Sequence, residues 1–162
     1  DELDAAVEAV PDSTTAVKDA DIIITATTAS DPVIANEDIE DGTHITAMGQ
    51  YDPEKRELDA DTISRATYVP DLRERIHQDA GSFILARQEG MIDDDHVHGE
   101  LGEVVVGDRP GRTSEDEVTV FDSGGTGIET IGAASMLYEK AVAEELGTTL
   151  RSFPASEAMI GN

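Results

Sequence analysis

The feature that most constrains this chain is a pair of apolar, β-branched runs that each break into small and polar residues. The first is ADIIITATTASDPVI, residues 20 to 34, and the second begins GTHITAMGQYDPEKREL, residues 42 to 58. A continuous run such as Ile22-Ile23-Ile24 suits a strand buried on both faces, the situation in a parallel sheet with helices on either side. Open sheets of that kind bind ligands at the carboxyl ends of their strands, so the polar residues after each run are the first candidates for a site. No G-x-G-x-x-G loop is present in the chain. The sequence therefore reads as the second part of a nucleotide-binding α/β unit.

The rest of the chain continues the alternation. DELDAAVEAV, with Leu3, Ala6, Val7 and Val10 at helical spacing, reads as the end of an amphipathic helix closed by Pro11. A helical turn is expected from Ala16 to Ala20, a buried strand from Asp21 to Thr27, and a second strand from His44 to Met48. Leu58 to Ala66 reads as a helix, Thr67 to Pro70 as a short strand, and Leu72 to Glu89 as a helix broken at Gly81. Glu100 to Val106 fits either a helical turn or an apolar strand. Val118 to Phe121 is the last strand, followed by DSGGTG and a long helix from Ile128 to Leu146. In the tail after Gly147, Phe153, Met159 and Ile160 are apolar groups suited to docking on a neighbour.

Charge narrows the partners. The 162 residues hold 36 Asp+Glu against 11 Lys+Arg, a formal net charge of -25, and the lysines are Lys18, Lys55 and Lys140 alone. Such a surface repels phosphate backbones and anionic lipid, which excludes nucleic acid and membrane as expected partners. The acids are interleaved with periodic apolar runs, unlike the uniform composition of a disordered tail. In molar salt, where the Debye length falls to roughly 3 Å, that self-repulsion is screened, so the acidic surface reads as halophilic. With no cysteine there is no disulfide, thiolate chemistry or zinc-thiolate site. No apolar run approaches the length of a membrane span, and a soluble cytoplasmic protein is expected.

Several residues carry candidate chemistry. Thr25 and Thr27 stand at a strand end, where a hydroxyl can hydrogen-bond a phosphate, ribose or amide edge of a cofactor, although threonine is also simply a good strand former. In Met48-Gly49-Gln50-Tyr51 the glycine lets main chain approach a flat ring closely, or serves a plain turn. Asp122-Ser123-Gly124 follows the last strand and is expected to open the long helix, so that backbone N–H groups and the Ser123 hydroxyl face a ligand or merely cap the helix. Asp93-Asp94-Asp95-His96-Val97-His98 invites a metal reading, but it follows Gly90 in a solvated acidic loop, and no metal site is expected. His44 and His77 are read as structural.

The blocks ADIIITATTASDPVI, GTHITAMGQYDPEKRELDAD, HGELGEVVVGDRPGR and TVFDSGGTGIETIGAASMLYEKA, in that order, resemble the ornithine cyclodeaminase/mu-crystallin family from about residue 16 to 146. That resemblance implies an α/β fold, the later half of a Rossmann-type parallel sheet with a long C-terminal helix. Residues 1 to 122 would be a partial NAD(P)-binding domain lacking its N-terminal Gly-rich part. Residues 123 to 162 would be a helix and tail packing on an N-terminal domain. The implied activity is NAD(P)-dependent oxidoreduction of an amino acid or a cyclic imine or ketimine, as in ornithine cyclodeaminase, ketimine reductase or alanine dehydrogenase, in a homodimer when full length. A truncated or non-catalytic ligand-binding member is the alternative. The cofactor is NAD or NADP, the ribose-reading residue not being among those seen.

The same resemblance implies cofactor contacts at Thr25, Thr27, Met48, Gly49, Gln50, Lys55 and Ser123, and a substrate contact at Gly124. The cyclodeaminase branch carries a catalytic aspartate two residues after the glycine, where this chain has Tyr51, with Asp52 one place further on. Tyr51 and Asp52 are thus the catalytic candidates. The departure points toward imine reduction, which needs hydride delivery and a proton, rather than toward cyclodeamination.

Overall fold

The computed structural model describes residues 5 to 49 and 51 to 148, in two compact units, Asp1–Gly125 and Thr126–Asn162. The first unit is built on four strands, β1 (Ile22–Thr25), β2 (His44–Ala47), β3 (Thr67–Pro70) and β4 (Thr119–Asp122). All are parallel, in the order β1-β2-β4-β3, so the last strand inserts between the second and third. Ile23 lies beside Ile45, Ile45 beside Val120, and Val120 beside Tyr68.

Because side chains alternate along a strand, one face of the sheet collects Ile23, Thr25, Ile45, Ala47, Tyr68, Pro70, Val120 and Asp122, all buried. The core on this face also takes in Leu58, Ile63 of α2 (Ala60–Arg65), Ile76, Phe83 of α3 (Gly81–Gln88) and Val97. The Tyr68 and Phe83 rings meet in a tilted pair 4.9 Å apart. Asp59 caps α2 by accepting from the Thr62 N–H, which fixes where the chain leaves the second strand-end loop.

The opposite face differs from expectation. Ile22 and Ile24 are each 65% exposed, so β1 is covered on one side only and alternates despite its uniform composition. Three isoleucines in a row satisfy a strand buried on two faces, and they equally satisfy an edge strand whose second face is left open within the unit. Further across that face, a cavity of about 540 Å³ lies against His44, Val69 and Phe121, with Leu101 and Val104 on its other wall. Those two residues belong to α4 (Leu101–Val106), which resolves the ambiguous segment as a helix closed at both ends of its first turn by Glu100 and Glu103.

Other elements shift. Residues 5 to 10 form no helix, whereas α1 (Ser13–Val17) is capped by Asp12, earlier than the turn expected at Ala16 to Ala20. The helix expected from Leu72 is a 3₁₀ turn, Arg73–His77, and α3 starts at Gly81 instead of breaking there. The second unit is α5 (Gly127–Ala143), begun by a Thr126/Glu129 capping box. Leu3, Phe153, Met159 and Ile160 lie outside the described residues. Among those described, no helix is long and apolar enough to cross a membrane.

Candidate functional site

The carboxyl ends of β1 and β2 are joined by a residue that the sequence reading passed over. Glu57 has no exposed surface, and its carboxylate takes three hydrogen bonds. Oε1 accepts from the Thr27 N–H at 2.6 Å, while Oε2 accepts from the Gly49 N–H at 3.0 Å and the Thr25 hydroxyl at 2.7 Å. Gly49 permits this: a Cβ there would collide with the Glu57 carboxylate and the Thr27 backbone. Gly81, similarly, leaves room for the carbonyls of Asp52 and Lys55, so the start of α3 presses directly on the loop after β2. Thus the loop is supported from below by a carboxylate and from the side by a helix.

Above this support is a cavity of about 490 Å³ lined by Thr28, Gly49, Tyr51, Asp52, Pro53 and Lys55. Tyr51 is 68% exposed. Asp52 closes a local turn by accepting from the Glu54 N–H at 3.0 Å, and it pairs with Lys55 across 3.7 Å. Residues 51 and 52 are loop rather than strand, so both line the same cavity instead of pointing to opposite faces. Met48 is half-exposed at the strand end, its N–H bonded to the Thr25 carbonyl. Gln50 lies outside the described residues.

The two threonines separate. Thr25 is buried on the covered face and donates its hydroxyl hydrogen to Glu57. Thr27 is exposed, and its Oγ1 accepts from the Ala29 N–H at 3.2 Å. Ser123 continues the sheet by donating its N–H to the Ala47 carbonyl. The long helix opens at Gly127 rather than at Ser123, and the Gly124 and Gly125 N–H groups are already taken by Asp71 Oδ2, at 2.8 and 2.9 Å. Neither Ser123 nor Gly124 lines the cavity that holds Tyr51 and Lys55.

Asp71 belongs to a second buried cluster, under the ends of β3 and β4. Arg75 reaches Asp122 Oδ1 at 2.8 Å, Asp71 Oδ1 at 3.1 Å and Asp79 at 2.8 Å, and Tyr68 donates to Asp122 Oδ2 at 2.7 Å. Burial alone would lower the Arg75 pKa, but the carboxylates of Asp122 and Asp71 outweigh it and push it up. Burial raises the Asp122 pKa despite the opposing guanidinium, and it raises that of Tyr68 as well, with the Asp122 charge adding to the effect. A Cβ on Gly124 would strike the Arg75 guanidinium, so the glycine there serves packing.

The histidines are engaged elsewhere. His44 lies 2.8 Å from the Thr119 hydroxyl, and burial and then Arg112 lower its pKa. His96 bonds the Ile63 carbonyl, His98 the Pro110 carbonyl, and Asp94 meets Arg87 and His77. No metal-binding cluster occurs among the described residues.

The ornithine cyclodeaminase/mu-crystallin family model matches residues 1–145. Alanine dehydrogenase of Archaeoglobus fulgidus is 36% identical over 133 residues, 82% of this chain and 41% of that protein. The structure of Thermococcus litoralis Δ1-pyrroline-2-carboxylate reductase in complex with NADH and L-proline superposes with a TM-score of 0.78 at 38% identity, covering 87% of this chain and 44% of that one. An archaeal alanine dehydrogenase dimer with bound NAD gives 0.75 at 34% identity, over 90% and 45%. The chain spans less than half the length of these relatives.

Proposed function

The chain belongs to the ornithine cyclodeaminase/mu-crystallin family, and on that premise we propose that the whole protein is an NAD(P)-dependent oxidoreductase acting at a carbon–nitrogen centre. The observation that carries the reading is the cavity at the carboxyl ends of two adjacent parallel strands, with Thr28, Tyr51, Asp52 and Lys55 on its walls. Its residues and their neighbours fit one end of a dinucleotide. Lys55 supplies a cation on the cavity wall, the loop backbone is held by Glu57, and half-exposed Met48, next in the chain to Gly49 of the lining, offers an apolar surface to a flat ring. The cofactor supplies or accepts the hydride, and the protein provides binding, orientation and electrostatics.

Tyr51 and Asp52 are the groups placed to hold or move a proton at the amine or imine nitrogen, Tyr51 through its phenol and Asp52 through a carboxylate whose charge Lys55 offsets. A phenol where the cyclodeaminase branch has a carboxylate favours reduction of a cyclic imine or ketimine over ammonia release from ornithine. The relatives named as a reductase and a dehydrogenase support the same direction. Thr27, Met48, Gly49, Gln50 and Ser123 remain our proposed cofactor contacts and Gly124 a proposed substrate contact. We further assign the whole protein as a cytoplasmic homodimer, in keeping with the dimeric alanine dehydrogenase, and its acidic surface as an adaptation to molar salt.

The test is an assay of the intact reading frame in molar KCl with deuterium at C4 of NADH and a panel of cyclic imines and 2-oxo acids with ammonia. Deuterium at the α-carbon of the amino acid product is the expected result. Tight NADH binding without transfer to any member of the panel would favour the non-catalytic reading instead.

A further inference from the structure

We propose that Glu57 is a positioning residue, which holds the loops after β1 and β2 in register with each other so that together they form one cofactor surface. A buried carboxylate is costly unless its lone pairs are met, and an uncharged side chain would fill the same space without that cost. Here both oxygens are met, and by different loops. Oε1 takes the first loop through the Thr27 N–H, and Oε2 takes the second through the Gly49 N–H, with the Thr25 hydroxyl as a third donor.

No cation pairs with Glu57 among the described residues. The two basic residues just before it turn elsewhere, Lys55 to Asp52 and Arg56 to Glu89. A salt bridge would offset the charge over a range of angles, whereas three uncharged N–H and O–H donors stabilise it only at set distances and directions. The rigid carboxylate thereby fixes the separation of the two loops. Its own backbone carbonyl accepts from the Val33 N–H at 2.9 Å, which ties the far end of the first loop to the same residue. Gly49 completes the device, because any side chain there would push the carboxylate off the Thr27 amide.

Glu57→Gln is the discriminating variant. The amide keeps one acceptor oxygen and turns an NH₂ toward a backbone N–H, so one loop is released while the volume is unchanged. Amide hydrogen exchange in the ligand-free, intact protein should quicken roughly tenfold or more over residues 26 to 29 and 48 to 51, with α3 and β3 at wild-type rates. KM for NADH should rise by roughly tenfold with a much smaller change in kcat, a split that general destabilisation does not produce. Glu57→Asp, which keeps both oxygens on a shorter arm, should show the same local pattern in milder form and serves if the glutamine variant does not fold.

Exchange that quickens uniformly, or not at all in the two loops, would overturn the proposal, as would an unchanged KM for NADH in a folded variant. The kinetic arm rests on the cofactor reading above, and the exchange arm does not. Wild-type protein that binds neither NADH nor NADPH would refute the cofactor reading, leaving exchange to decide the role of Glu57.

Discussion

Two buried acidic clusters underlie the strand ends, and they solve the same problem differently. Beneath β1 and β2, Glu57 is met among the described residues by N–H and O–H donors. Beneath β3 and β4, Asp71 and Asp122 share the guanidinium of Arg75, with Tyr68 as a further donor. The first arrangement is directional and ties loop to loop. The second is a block held together by one shared cation, which anchors one turn, residues 123 to 125, by the Gly124 and Gly125 amides. A ligand surface made of two segments requires a fixed distance between them, which the first arrangement supplies. An anchored turn requires stability more than register.

The sharpest way to break this comparison is to remove the cation. Arg75→Met leaves two buried carboxylates without their shared cation, held by neutral donors, and should destabilise the intact protein by about 3–5 kcal/mol, read as a lower denaturant midpoint. An effect below about 1 kcal/mol would mean that the shared cation does not hold the cluster together in the way described. Next is Gly49→Ala, which drives a methyl group into Glu57 and Thr27; a loss of about 1–3 kcal/mol is expected, along with weaker NADH binding. Gly124→Ala is the matched control on the other cluster and should cost stability with less effect on the cofactor.

Tyr68→Phe removes one donor from Asp122 while Arg75 remains, so a loss of about 1 kcal/mol is expected in the same denaturation measurement. The smallest effect belongs to neither cluster. Glu117, near the start of β4, has its pKa pulled down to about 2 by the Thr113 N–H, the Thr67 hydroxyl and further Thr113 and Ser114 donors. A folded-state pKa below the unfolded value contributes stability that is full above the unfolded pKa and lost as pH falls toward the folded one. The stability gap between wild type and Glu117→Gln should therefore close between about pH 4.5 and about pH 2.

The two clusters also differ in how far the sequence disclosed them. Asp71 and Arg75 stand four residues apart where the stretch read as helix begins at Leu72, a spacing that suits an acid–base pair, though it gives no sign of closure on Asp122 from a distant strand. Glu57 sat inside DPEKREL and looked like one more surface acid in an acidic chain. Its only signal was position: it directly precedes fully buried Leu58, where the chain enters the core. The strands were legible because β-branched runs identify themselves locally. The insertion of β4 between β2 and β3 depends on contacts between distant residues and left no local mark. Exposure of Ile22 and Ile24 was misread because composition reports what a strand tolerates, not which of its faces is covered. Tyr51, Asp52 and Lys55 line a common cavity, whereas Gly124 bonds the other cluster and Ser123 bonds the Ala47 carbonyl.

The claim that the β1 and β2 strand ends hold the cofactor is tested most directly by comparing amide hydrogen exchange of the intact protein with and without saturating NADH. Slowed exchange concentrated at residues 26 to 29 and 48 to 55, with little change on the opposite sheet face around Ile22, His44 and Phe121, is the result expected. Protection confined to that opposite face, or absent from both strand-end loops while NADH is bound, would contradict the account.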